Sequence, residues 1–420
     1  MIKILDCKSS NYLNKLKAIL EKRRSGNNVN TDIVKKIVKD IKKNKLKALK
    51  KYEKKFSNNT QLKISKKKII KSIKKLDPKV KKAIDFAYNR ILKFHKKQKV
   101  KNLKFKDNLK NLIEYKFSPI ESVGIYVPAN LPSTLLMNAI PAKLANVKRI
   151  VLANPKLNGK LNSAVLYAAK KLNIHEIYSM GGAQAIGSLA YIQKVNKIVG
   201  PGNIYVANAK REVFGDVGIE GMIAGPSEIT VVADDKTDVN EVTTSIIAQA
   251  EHDVNSQSIL ITKSKNLITN ILKNIFRNLK NLPREKIAYK SLKNNGLIVY
   301  ARSDKNLVEA INEVAPEHLE MNIKNYKKYL TGIYNAGSIC IGKYSPMAVS
   351  DYNVGTSHVL PCYGTAKFSS GLNINEFYKK ISYINLSKKG VEVIGKQAIT
   401  LAEYEQLDGH ALSIKSRIRS

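Results

Sequence analysis

From about residue 120 onward, short apolar runs alternate with stretches whose apolar residues recur at helical spacing, and no other feature narrows the fold so far. The runs 122–127, 149–153, 176–180, 197–199, 228–233, 258–262, 296–300 and 338–341 have strand length. Between them, 134–145, 164–172, 183–190, 239–250, 267–279 and 307–314 read as helices. Ser133 is the expected N-cap of the first helix, and Pro141 is expected to kink or break it. Strands that are apolar on both faces need cover on both faces, which parallel sheets flanked by helices supply. The expectation is an α/β fold.

A chain of 420 residues, 43% hydrophobic, is too long for a single core and implies two or more domains. It holds no apolar run of the roughly 18 residues that a membrane helix needs. Its start, Met1-Ile-Lys-Ile-Leu-Asp-Cys7, lacks the apolar stretch of a secretory signal. Cys7, Cys340 and Cys362 show no paired spacing and suit a reducing, cytoplasmic setting without membrane contact. Half of the 74 lysines and arginines fall within the first 110 residues. There they alternate with an apolar stripe, as in Val34, Ile37, Val38, Ile41 and Leu46 with Lys35, Lys36, Lys39, Lys42 and Lys43 between. Arginine is scarce in that region and no aromatic platform interleaves, so the charge reads as solvated helix faces and not as a specific nucleic-acid site. Weak, salt-sensitive attraction to polyanions follows from charge alone.

No G-x-G-x-x-G loop is present. Its nearest substitutes are Gly181-Gly-Ala-Gln184-Ala-Ile-Gly187 and Gly200-Pro-Gly202-Asn203, where glycine would let backbone amides approach a phosphate at a helix start. Four of the six histidines stand beside acidic or small polar residues: Gln249-Ala-Glu-His252, Pro316-Glu317-His318, Ser350-Asp351 through Ser357-His358, and Glu405 through Gly409-His410. Gln249 and His252 are three apart and share one helix face, where a distant carboxylate and a second imidazole would complete an N/O metal site. Glu317 and His318 offer an acid–base pair. Each has a plainer reading too. Glu317-His318 after Pro316 is a place for a helix to start, Asp351 suits a turn cap, and His410 a helix end. A zinc hydrolase and a basic nucleic-acid-binding protein are the competing functions.

Taken together and in order, Tyr126-Val-Pro, Gly181-Gly-Ala-Gln-Ala-Ile, Val199-Gly-Pro-Gly-Asn-Ile-Tyr-Val, Ala224-Gly-Pro-Ser-Glu, Ala248-Gln-Ala-Glu-His-Asp, Pro316-Glu-His-Leu-Glu and His358-Val-Leu-Pro closely resemble the histidinol dehydrogenase family. The resemblance runs from about residue 30 to the C-terminus. It implies oxidation of L-histidinol through L-histidinal to L-histidine with two NAD⁺, the last steps of histidine biosynthesis. It further implies one zinc per subunit on Gln249, His252, Asp351 and His410, and catalysis by Glu317 and His318. Substrate contacts correspond to Ser227, Gln249, His252, His318, Asp351, Glu405 and His410, and NAD contacts to Tyr126, Gln184 and Asn203.

The family resemblance implies two incomplete Rossmann-like domains with parallel sheets, plus small N- and C-terminal helical segments involved in dimerisation. The expected division is an N-terminal arm at 1–24, a discontinuous substrate- and metal-binding domain at 25–120 and 236–372, an NAD-binding domain at 121–235, and a tail at 373–420. That tail is expected to reach the partner's site in a homodimer, carrying Glu405 and His410 with it. His358 reads as structural, His95 and His175 as surface residues, and Cys362 as unneeded for aldehyde chemistry. Two departures stand out. Ala129-Asn130 follow Tyr126-Val-Pro where the family usually has two glycines, so Ala129 would be strained if its position needs φ > 0. Thr356-Ser357-His358 replaces the commoner Thr-Asn-His.

Overall fold

The computed structural model describes residues 2–25, 31–98, 100–220 and 227–418. The chain divides into two compact units, one of Met1–Lys97 with Glu121–Glu376 and one of Gln98–Ile120 with Phe377–Ser420.

The first unit holds two wholly parallel sheets. One has five strands in the order Glu176–Tyr178, Arg149–Ala153, Ser122–Tyr126, Lys197–Val199 and Gly218–Ile219. The other has six, in the order Lys3–Asp6, Leu297–Tyr300, Gln257–Thr262, Glu228–Ala233, His318–Asn322 and Ser338–Ile341. The segment 121–235 therefore contributes to both sheets. Side chains alternate across the pleat of the six-stranded sheet. Val232, Ile259, Ile261 and Val299 pack with the helices Tyr12–Ser25 and Asp304–Val314 on one face. Ile229, Val231, Leu260 and Ile298 pack with Val239–Ala250, Lys265–Leu279 and Glu285–Asn295 on the other. The runs of buried residues in Glu228–Ala233 and Gln257–Thr262 follow from that double cover.

The five-stranded sheet is covered in part by the lysine-rich helix Thr31–Ser57. Its Val34, Ile37, Val38 and Ile41 are buried in one cluster with Ile186, Leu189 and Ile198, while Lys35, Lys36 and Lys43 are exposed. Ile41 lies against Gly187, where an added Cβ would sit 3.3 Å from Ile41 Cδ1. Close packing of the two helices uses that missing side chain.

The second unit is a three-stranded antiparallel sheet, Tyr378–Asn385, Leu112–Pro119 and Leu103–Lys106, with the helices Lys388–Tyr404 and Asp408–Ile418. Neither this sheet nor the strands Lys3–Asp6 and His318–Asn322 stood out as apolar runs. The exposed pattern of Leu103–Lys106 and the charges in Lys3–Asp6 mark edge strands, which carry a weak hydrophobic signal.

Three expectations change. The first helix begins at Pro132 with no side-chain cap, because proline's fixed φ suits the first helical position and Ser133 falls inside. That helix runs on through Pro141 to Leu144, with every residue from Thr134 to Ala142 buried. His95 is 1% exposed and not a surface residue. It shares the buried stripe Ile84, Ile91, His95 of the helix Pro78–His95 and meets the Phe94 ring edge-on at 5.3 Å. His175 is exposed. No helix among the described residues is long and apolar enough to cross a membrane.

If the lysines of Thr31–Ser57 only solvate its outer face, Ile41→Ala should cost about 2–5 kcal/mol in urea unfolding. Lys35→Ala and Lys43→Ala should each stay within about 0.5 kcal/mol.

Candidate active site

Glu317 and His318 are presented at the amino end of the strand His318–Asn322, next to the amino end of Glu228–Ala233. The chain enters this strand from the helix Asp304–Val314, which closes on Ala315 in the left-handed region at φ 46°. That conformation is costly for alanine and persists because its surroundings hold it. Gly337 N–H donates to Pro316 O at 2.9 Å and Ser338 N–H to Glu317 O at 2.9 Å. A Cβ on Gly337 would stand 2.6 Å from Glu317 O, so only glycine fits there.

Both side chains are buried, Glu317 at 5% and His318 at 3% exposure. Glu317 Oε2 accepts the Glu228 backbone N–H at 2.7 Å. Burial pushes the Glu317 carboxyl well above the usual range, and the nearby Glu228 and Asp351 carboxylates push the same way; the Glu228 N–H and the Cys362 thiol oppose them. His318 Nε2 lies 3.6 Å from Asp351 Oδ1 and 4.0 Å from Glu317 Oε1. Burial lowers its pKa to about 3, helped by the neighbouring His358 and His252 imidazoles. The ring is therefore neutral at physiological pH and able to accept a proton. Burial raises the Asp351 carboxyl to about 7.

Asp351 follows the short helix Met347–Ser350, and its backbone carbonyl accepts from His358 Nδ1 at 2.9 Å. With Nδ1 as donor, His358 Nε2 accepts the Thr134 hydroxyl at 3.1 Å. His358 thus ties the Asp351 turn to the helix that follows the strand Ser122–Tyr126. Gln249 is in the last turn of the helix Val239–Ala250, which Asp238 caps. It is 1% exposed, and its Nε2 finds no partner among the described residues. His252 continues that turn, its N–H donating to Gln249 O at 3.2 Å. Its ring is exposed, and neighbouring atoms still desolvate it enough to lower its pKa. Ser227 precedes the strand Glu228–Ala233 and is half-buried, while Ala224, Gly225 and Pro226 of the same motif lie outside the described residues.

The structure thus brings Glu317, His318 and Asp351 together, with the His252 and His358 imidazoles close enough to act on His318. Glu405 and His410 belong to the second unit; both are exposed, one after the helix Lys388–Tyr404 and one in the first turn of Asp408–Ile418. Among the described residues no three His, Cys, Asp or Glu side chains converge as a metal cluster. Glu317-His318 starts a strand and not a helix. The three cysteines are buried, and none is in a disulfide.

The residues expected at NAD sit at the carboxyl end of the five-stranded sheet. Tyr126 closes its central strand, and its Oη accepts Gly182 N–H at 3.4 Å. Gln184 is buried and donates to Glu53. Asn203 caps the helix Ile204–Val213 by accepting Val206 N–H at 3.2 Å. Gly200 has φ 102°, and a Cβ there would stand 2.0 Å from Tyr126 O. Ala129 and Asn130 both keep negative φ, so the absence of the family's two glycines strains nothing.

Sequence reading missed four residues. Arg23 pairs with the Glu228 carboxylate, donates to Gln257 Oε1 at 3.2 Å and lies 4.7 Å over the Tyr363 ring. Glu228 Oε1 also accepts Tyr363 N–H at 3.0 Å. Lys210 is fully buried and donates to Gly200 O at 2.6 Å and Glu220 O at 3.2 Å. Glu53 is the fourth. Lys210 and Glu53 each occupy an apolar helix stripe, beside Val206 and Val213 in one case and Leu49 and Tyr52 in the other. That misplacement was the available signal.

Helix-covered parallel sheets with a buried imidazole and two carboxylates at one sheet end are the frame and the acid–base groups of an α/β enzyme. The histidinol dehydrogenase family model matches residues 20–418. A histidinol dehydrogenase from Pelagibacter ubique is 56% identical over 426 residues, covering 100% of both chains. Another from Trichormus variabilis is 43% identical over 82% of this chain and 81% of its own. The crystal structure of the Elizabethkingia anophelis histidinol dehydrogenase superposes with a TM-score of 0.91 at 34% identity, covering 100% of this chain and 98% of that one. The chain belongs to the histidinol dehydrogenase family, NAD-dependent oxidoreductases that catalyse the final steps of histidine biosynthesis.

Burial lowers the Lys210 pKa to about 7, against about 10.4 for an unfolded lysine. The unfolded chain then binds more protons between those values, so folding stability should rise with pH from about 7 towards 10. Lys210→Met should remove that contribution, up to about 1.4 kcal/mol per pH unit, in urea titrations at stepped pH.

Proposed function

We propose that this chain oxidises L-histidinol to L-histidinal and then to L-histidine, passing two hydrides to two NAD⁺, with one zinc ion per subunit gripping the substrate. The observation that carries the reading is the buried His318 imidazole, its Nε2 set 4.0 Å from Glu317 Oε1 and 3.6 Å from Asp351 Oδ1. Gln249, His252 and Asp351 would hold the zinc, joined by His410 from a second copy. The buried, unpartnered end of the Gln249 amide favours this, since turning the amide over presents an oxygen donor at the same place. Histidinol offers an imidazole and an amine, which suit a borderline cation such as zinc. When bound, the ion supplies a template that orients the substrate.

The chain's own residues do the proton work. His318 takes the hydroxyl proton as hydride leaves for the nicotinamide. In the second oxidation, Glu317 removes a proton from the water that adds to the aldehyde, and His318 assists. Ser227, Gln249, His252, His318 and Asp351, with Glu405 and His410 of the second copy, would line the substrate. Tyr126, Gln184 and Asn203 would meet NAD⁺. The domain division is an arm at 1–24, a substrate domain at 25–120 and 236–372, an NAD domain at 121–235, and a tail at 373–420 that reaches across a homodimer. Ile384, Leu401 and Leu412, each more than 60% exposed, favour a covered surface on that second unit. Three cysteines without a disulfide suit the cytoplasm.

Each histidinol consumed should yield two NADH by absorbance, with no turnover when NAD⁺ is omitted and loss of activity on chelation that zinc restores. Turnover without NAD⁺ would instead mark a hydrolase. His318→Gln should slow both oxidations by about 10²–10⁴-fold, and Glu317→Gln mainly the second. A Glu317→Gln enzyme that oxidises added histidinal at the parental rate would refute this division of labour.

A further inference from the structure

The lysine-rich helix Thr31–Ser57 buries one carboxylate, that of Glu53, at 1% exposure. Its Oε1 accepts Gly181 N–H at 2.9 Å and the Gln184 side-chain amide at 2.9 Å. Asn59 Nδ2 reaches its Oε2 at 3.4 Å, and Lys156 Nζ donates to Asn59 Oδ1 at 2.7 Å. A buried carboxylate needs such donors to stay ionised.

Two consequences follow. The glycine-rich turn at Gly181 suggested an anion cradle, yet its first two amides are already taken, Gly181 by Glu53 and Gly182 by Tyr126 Oη. A phosphate placed there would face the Glu53 charge. Moreover, an ionised carboxylate only accepts hydrogen bonds, so Gln184 must turn its nitrogen to Glu53 and present its oxygen elsewhere.

We infer that Glu53 is a positioning residue for NAD⁺, holding the Gln184 amide so that its oxygen accepts from a donor group of the dinucleotide, a ribose hydroxyl or an amide N–H, and not from a phosphate. This rests on the reading that Gln184 meets NAD⁺. Calorimetric titration of NAD⁺ into the full chain tests it with Glu53→Ala, Gln184→Ala and the double variant, checked by thermal unfolding. Each single change should weaken NAD⁺ binding about ten-fold, the scale of one charge-assisted hydrogen bond. The double variant should be no weaker than the worse single, because both act through one contact. The KM for histidinol should stay within about two-fold, as a binding defect confined to the dinucleotide requires. Should Glu53→Ala fail to fold, Glu53→Gln decides, with a smaller weakening because one acceptor oxygen remains. Normal NAD⁺ affinity in the Glu53 variants beside a weakened Gln184→Ala, or additive losses in the double variant, would overturn the inference alone. Normal affinity in Gln184→Ala would overturn the reading beneath it and the inference with it.

Discussion

A carboxylate shut away from bulk water survives only where protein donors replace the water, and Glu317 finds its donor in the backbone amide of Glu228. That one hydrogen bond fixes much else. It requires the strands Glu228–Ala233 and His318–Asn322 to lie side by side in a set register, with their amino ends level. It also places the Glu228 side chain near a second acid, a repulsion that Arg23 and the Tyr363 N–H offset from two distant stretches of chain. His318 inherits its place from the same strand. Asp351 reaches it through a turn held by His358 and, beyond that, by Thr134.

The two parallel sheets gather their buried polar groups at different ends. Open α/β sheets ordinarily bind ligands beyond the carboxyl ends of their strands, where the strand order reverses. In the five-stranded sheet that reversal lies between Ser122–Tyr126 and Lys197–Val199, where Tyr126 and the Gly200 loop stand. The six-stranded sheet gathers its polar groups at the opposite end. Ser227, Glu228, Gln257, Glu317 and His318 all stand at amino ends, and Gln249 arrives there at the close of a helix running back. Gln249 joins these residues because a helix returning from a strand's far edge delivers its last turn to the start of the next strand.

Much of this was legible beforehand, for reasons that particular residues make plain. Buried parallel strands such as Glu228–Ala233 announce themselves, since both faces must be apolar. Gln249 and His252 are one turn apart by spacing alone, and the His252 N–H donates to Gln249 O. The misses have a physical pattern as well. Edge strands such as Leu103–Lys106 bury little and leave a faint trace. Arg23 and Glu53 are polar groups whose interior partners lie far away in sequence, so their burial looked improbable until those partners were known. Ser133 lost its cap because Pro132 already supplied the required φ.

What the sequence determined by itself was the kind of fold, the family and the set of chemical groups, because periodicity, turn chemistry and ordered motifs are local properties of the chain. Protonation was decided by the tertiary structure alone. Dense burial lowers His318 and raises Glu317 and Asp351, and that burial is built from segments hundreds of residues apart. The same holds for which amides remain free to bind. Glu53 and Tyr126 fill the turn that glycine spacing had marked for a phosphate. A spacing states what a loop can approach, and only packing states what has reached it first.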